Sequence, residues 1–106
     1  MIRHIVMWKF HESADGADRA TNLRKAKALL DACADIAPGT REFEVAIAQS
    51  GFECTYDLVL NCVFEDAAAL QAYQEHPRHV ALKPFMSAVR LERQCMDYEI
   101  QGTTRT

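Results

Sequence analysis

Residues 2–10, IRHIVMWKF, have the β-branched and aromatic content of a strand, and that strand is apolar on both faces. Ile2, His4, Val6, Trp8 and Phe10 alternate onto one side, and Arg3, Ile5, Met7 and Lys9 onto the other. A sheet with one wet face alternates cleanly between apolar and polar residues, so this segment predicts a sheet covered on both sides. Residues 56–65 repeat the pattern. Tyr56, Leu58, Leu60, Cys62 and Phe64 make a continuous apolar face, while Asp57, Val59, Asn61 and Val63 make a mixed one.

The remaining segments predict what covers the first face. Ser13 to Gly16 is a polar break with Ser13 or Asp15 as candidate helix caps. From about Asp18 to Ile36, Leu23, Ala26, Leu30, Cys33 and Ala37 recur at helical spacing, and Pro38-Gly39 ends the run. A second strand is expected near 41–49, with Phe43, Val45 and Ile47 on one face. Asp66 caps a short Ala-rich helix that His76 ends, because a residue before proline is pushed out of the α region. Pro77 starts a further helical stretch over 78–90, restarted at Pro84. A last strand near 91–100 carries Leu91, Cys95, Met96, Tyr98 and Ile100.

The order is β-α-β-β-α-β, which predicts a ferredoxin-like α+β fold with helices on one face of an antiparallel sheet. One domain over 1–100 is expected, followed by a frayed tail at 101–106. The second face, with Ile5, Met7, Val59 and Val63, then needs a cover, and a second copy of the same sheet is the simplest. A monomer with a half-polar exposed sheet is the alternative.

Several classes are excluded on composition and motif. The formal charge of −3, with acids and bases mixed along 106 residues, leaves no basic stripe for nucleic acid. No segment approaches the ~20 apolar residues of a membrane span. The opening segment is interrupted by Arg3, His4 and Lys9 and does not read as an export signal, so a reducing cytoplasmic setting with free thiols is expected. The cysteines at 33, 54, 62 and 95 lack C-x-x-C spacing and a neighbouring His pattern, so no metal is expected. Cys33 and Cys62 read as buried small hydrophobes. No P-loop, G-x-S-x-G or H-E-x-x-H is present, and no motif asks for a cofactor.

The densest polar cluster is His76-Pro77-Arg78-His79, at the helix break, with Tyr73 one turn before it. If Tyr73 and His79 converge over His4, an apolar cleft gains a base poised near neutral pH and an O–H donor for a carbonyl oxygen. Val6, Trp8, Leu58, Leu60 and His76 would line that cleft. The structural alternative makes His76 a helix C-cap, His79 a surface residue, Tyr73 plain core and His4 a satisfied core histidine. His11, beside Glu12, is expected in solvent.

The opening I-R-H-I-V-M-W-K-F, the strand Y-D-L-V-L-N-C-V-F-E-D, the run Y-Q-E-H-P-R-H-V and the ending D-Y-E resemble the stress-responsive A/B barrel (Dabb) domain. The resemblance runs from Ile2 to about Glu99, and its most specific element is H-P-x-H-V with Tyr three residues ahead. It implies a ferredoxin-like unit pairing through its sheets into a dimeric α/β barrel. It also implies a distant similarity to olivetolic acid cyclase, a plant polyketide cyclase of the family whose acid–base Tyr and His correspond to Tyr73 and His79, and whose first-strand His corresponds to His4. Three functions stay open: a homodimeric protein binding a small apolar or carbonyl-containing ligand, a cyclase-like lyase using His79 and Tyr73, and a non-catalytic stress-related dimer. A monooxygenase of the wider dimeric barrel group is a fourth. A closed, water-excluded cleft reaching His79 would favour the first two functions; one packed shut by Trp8, Leu60 and Phe85 would favour the third.

Overall fold

The computed structural model describes residues 1–101, so the expected frayed tail falls, except for Gln101, outside the described residues. Its main sheet has the strands β1 (Ile2–Phe10), β4 (Thr40–Ile47), β5 (Leu58–Phe64) and β6 (Arg90–Glu99), in the order β4-β5-β1-β6. All three pairings are antiparallel. The helices are α1 (Arg19–Asp31), α2 (Ala67–Glu75), α3 (Pro77–Val80) and α4 (Lys83–Val89). The β-strands and helices follow the ferredoxin-like βαββαβ order. Among the described residues, no helix is long and apolar enough to cross a membrane.

One departure lies ahead of α1. The residues expected to cap the helix instead form a small hairpin of β2 (Ser13–Ala14) and β3 (Ala17–Asp18). Asp15 and Gly16 both have positive φ, 53° and 79°, as a two-residue turn matching strand twist requires. Asp-Gly satisfies that turn at low cost, so the helix starts later, and Asp18 rather than Ser13 or Asp15 caps it through Oδ1, which accepts from the Thr21 N–H at 2.8 Å. Buried Asn22 ties hairpin to helix by donating to the carbonyls of Ala14 and Ala17. The helix also stops at Asp31, short of the expected Ile36, although Cys33 and Ala37 remain in the core. Gly39 then turns the chain at φ 87°, where an added Cβ would meet the Ala69 Cβ at 2.9 Å.

The core fills the space between the sheet and α1, α2 and α4. Val6, Trp8, Phe10, Leu58, Leu60, Cys62 and Phe64 face Leu23, Ala26, Leu30, Tyr73, Met86 and Val89. Cys33 and Cys62 are buried free thiols, and burial pushes the Cys62 thiol up to about 12; Cys54 and Cys95 are exposed. At the far end of β1, Asp57 replaces a missing strand neighbour: its N–H donates to the Trp8 carbonyl, and its carboxylate accepts from the Phe10 N–H at 2.8 Å. His11 is exposed, as expected.

The opposite face of the sheet carries no helix. Ile5, Met7 and Val59 are half-buried there. Val63 is fully buried, because Arg3 and Glu42, its register partners on β1 and β4, approach across it to 3.7 Å. Met96 and Tyr98 of the edge strand extend this face and are exposed. Toward its other end a concavity of about 690 Å³ runs past Met7, Ala46 and Val59 to Phe52, which is 73% exposed.

Candidate functional site

A second cavity, of about 290 Å³, opens between the helices and the Trp8 face of the sheet. Its floor is His4, Val6 and Trp8 of β1 with Leu60 of β5. Leu30, Leu82 and Met86 make apolar walls, and Gln74 and His79 bring polar groups from the region of the helix break. Lys83, Ser87, Arg90 and Arg93 complete the lining. The cleft is open, neither the closed, water-excluded one expected for ligand or catalysis nor one packed shut; Phe85 is half-buried outside its lining, with the Lys25 ammonium 4.5 Å from its ring centre.

Proline creates the local geometry that sets His79. Pro77 forces His76 into extended backbone, φ −62° and ψ 136°, which ends α2 and starts α3. The His76 ring turns to the start of α3, where Nδ1 accepts from the Arg78 N–H at 3.1 Å. His76 is therefore a helix-capping residue outside the cavity lining, and Leu58 is a core residue that also does not line it. His79, three residues on, returns across the break, and its Nδ1–H donates to the Gln74 carbonyl at 3.1 Å. That bond fixes the tautomer and leaves Nε2 as the lone-pair nitrogen of the neutral ring.

His4 is only 3% exposed, a polar group inside an apolar layer. Its partner is Asp97 of β6, opposite it in the register: Nδ1 lies 2.5 Å from Asp97 Oδ1, so the ring N–H donates to the carboxylate. Sequence reasoning missed Asp97. The available signal was its alternation on the last strand, but using it requires the β1–β6 register across 93 residues. In both histidines Nδ1 is engaged and Nε2 is left free.

Tyr73 sits behind these two imidazoles. Its ring centre is 4.6 Å from that of His79 and 6.3 Å from that of His4, and it also packs on Phe43 and Phe64. The residue is fully buried, does not line the cavity, and its hydroxyl has no hydrogen-bond partner among the described residues. Burial pushes its phenol pKa far up, so it is a neutral O–H at any physiological pH.

The His79 pKa is lowered, first by burial, with the nearby Lys83, His4 and Arg93 adding to the effect and the Gln74 carbonyl opposing it. A folded-state pKa below the unfolded value of about 6.5 means that the unfolded chain binds the proton more readily. His79 thus lowers stability progressively as pH falls below about 6.5 and through the folded-state value. Urea unfolding midpoints are expected to be lower at pH 5 than at pH 7.5, and His79→Gln should flatten that slope. The acids with lowered pKa, Asp18 and Glu92, titrate below this window. An unchanged slope in the variant would mean that His79 is solvated.

The family model described as Stress responsive A/B Barrel Domain matches residues 2–100. An uncharacterized protein of Streptomyces coelicolor is 35% identical over 81 residues, 76% of this chain and 81% of that protein. A dimeric ferredoxin-like protein of unknown function from Jannaschia sp. CCS1 superposes with a TM-score of 0.71 at 27% identity, covering 93% of this chain and 98% of that one. SnoaB, a cofactor-independent oxygenase from Streptomyces nogalater, superposes with a TM-score of 0.72 at 12% identity, covering 96% and 94%, a likeness of fold alone.

Proposed function

We propose that this chain, which belongs to the stress-responsive A/B barrel family, is a homodimeric protein that binds a small apolar or carbonyl-containing ligand in the cleft between its helices and sheet. The observation that carries this reading is the open cavity in which two imidazoles join apolar residues of the sheet and helices, with Gln74, Lys83, Ser87, Arg90 and Arg93 completing the lining. Its volume of about 290 Å³ is close to the lower end of ordinary ligand pockets, roughly 300–1,000 Å³. Apolar walls supply affinity, and the few polar groups set orientation. A purely structural dimer would gain stability from filling this space. The dimer reading rests on the uncovered sheet face and on the dimeric relative. A cytosolic setting with free thiols remains the expectation from sequence.

The pair of oriented histidines supports a second reading, a lyase of the polyketide-cyclase type. His79, held neutral, offers Nε2 as a base toward a carbon acid beside a ketone. His4, oriented by Asp97, is the positioning group. Tyr73, which does not line the cavity, would donate to the enolate oxygen only if its ring reached it.

Binding is tested by calorimetry with two naphthalene probes, 2-acetonaphthone and 2-naphthoate. At least one should bind saturably, one per chain, and His79→Ala should weaken it by about tenfold while the circular dichroism spectrum is kept. Absence of saturable binding by either probe would overturn the proposed function.

A further inference from the structure

The cavity has a charge that the rest of the molecule does not share. The chain is acidic overall, with a formal charge of −3, yet Lys83, Arg90 and Arg93 line this cleft and no Asp or Glu does. Elsewhere among the described residues every Lys and Arg has a partner: Arg3, Lys9, Lys27 and Arg41 face Glu42, Glu92, Asp31 and Glu65, Arg19 and Arg78 donate to the Phe10 and Ala32 carbonyls, Arg24 donates to the Thr21 hydroxyl, and Lys25 lies over the Phe85 ring. Lys83, Arg90 and Arg93 have no ion-pair partner among the described residues. Two nearby carboxylates are already engaged. Asp97 is held by His4, and Glu92, next to Arg93 in sequence, accepts from the Tyr56 hydroxyl and faces Lys9.

Three like charges beside a low-dielectric cleft repel one another, and the cleft walls focus their field inward. A bound anion relieves that repulsion. Two of the three are guanidiniums, whose planar forks match a carboxylate with two parallel hydrogen bonds. Beside these cations the lining is apolar at Val6, Trp8 and Leu60, with Trp8 the register partner of Arg93 on the adjacent strand. From this juxtaposition, and resting on the ligand-binding reading above, we infer that the cleft takes an amphipathic organic anion: an apolar body against Trp8 and an anionic head, carboxylate in character, held by Lys83, Arg90 and Arg93.

Three probes with one ring body and different heads test this on the intact chain: 2-naphthoate, neutral 2-acetonaphthone and cationic 2-naphthylmethylammonium. Naphthoate should bind at least about tenfold more tightly than the ketone, and the ammonium should bind more weakly than both. Raising the salt should weaken naphthoate and leave the ketone unchanged. Lys83→Gln and Arg93→Gln replace exposed side chains and should fold normally. Each should lower naphthoate affinity several-fold while ketone affinity holds. Equal affinity for naphthoate and ketone, or a preference that survives both substitutions, would overturn the anionic assignment and leave the pocket standing. Failure of all three probes would remove the pocket reading itself, and this inference with it.

Discussion

Replacing Tyr73 by Phe should make the protein more stable, and replacing it by Ala should come close to unfolding it. The ring fills a fully buried site against Phe43, Phe64, His4 and His79. Removing a large aromatic from such a site costs about 3–5 kcal/mol, a large share of the roughly 5–15 kcal/mol that holds a domain together. The hydroxyl acts in the other direction. It has no partner among the described residues, and a buried, unsatisfied hydroxyl costs about 1–3 kcal/mol. Tyr73→Phe should therefore gain about 1 kcal/mol, raising the thermal midpoint by about 4 °C or more. Urea and thermal unfolding of the two variants measure both effects. A Phe variant no more stable than the native chain would mean that the hydroxyl is satisfied in solution. The same variant separates function from packing. If probe binding persists in the stabilised Phe protein, Tyr73 is an architectural backing for the two histidines. If binding or turnover is lost while stability rises, the unpaired hydroxyl is held at a cost for chemistry, the trade-off expected of a working group.

How far the site was legible in sequence depends on which contacts are local. The period-two alternation of β1 and β5 put His4, Val6, Trp8 and Leu60 on the helix side without any knowledge of tertiary structure. The Pro77 break marked where a side chain could be redirected, and His79 lines the cavity beside it. Neither signal could separate Leu58, which shares the face of Leu60 but is buried at the end of β5 opposite Trp8. Nor could they foresee that His76 would spend its ring on the Arg78 amide. Asp97 and the cationic rim were out of reach for a different reason. They depend on the register of an edge strand against β1 and on how α4 packs over it, and the sequence pattern of Arg90–Glu99, exposed along most of its length, specifies neither. The hairpin before α1 was hidden because Asp-Gly beside Ser also reads as a helix cap.

The uncovered sheet face leads to the largest expected effect on assembly. Val59 lies beside Met7 and Ala46 in the register, on the face without helices, and borders the concavity that ends at exposed Phe52. Met96 and Tyr98 add apolar surface along β6. A two-fold dimer brings such a face against its own copy, so one substitution enters the interface twice. Val59→Lys would then set two ammonium groups into a patch that should bury on the order of 1,200–2,000 Å². Desolvation and like-charge proximity there cost several kcal/mol, about two factors of ten or more in dimer affinity. Within one chain the position is only half-buried, and a lysine stem can lie along Met7 while its charge reaches water, so the fold should survive. Light scattering at micromolar protein should find the native chain as a dimer and the variant as a monomer with an unchanged circular dichroism spectrum. Met7→Lys, on the neighbouring strand, should behave alike and guards against a local misfold. A native monomer, or a full dimer in both variants, would remove the sheet face as the assembly surface. The monomeric variant also bears on the cleft. Naphthoate affinity that persists in the monomer would make the pocket a property of the single fold, and a loss would mean that pairing shapes it through the sheet that the two faces share.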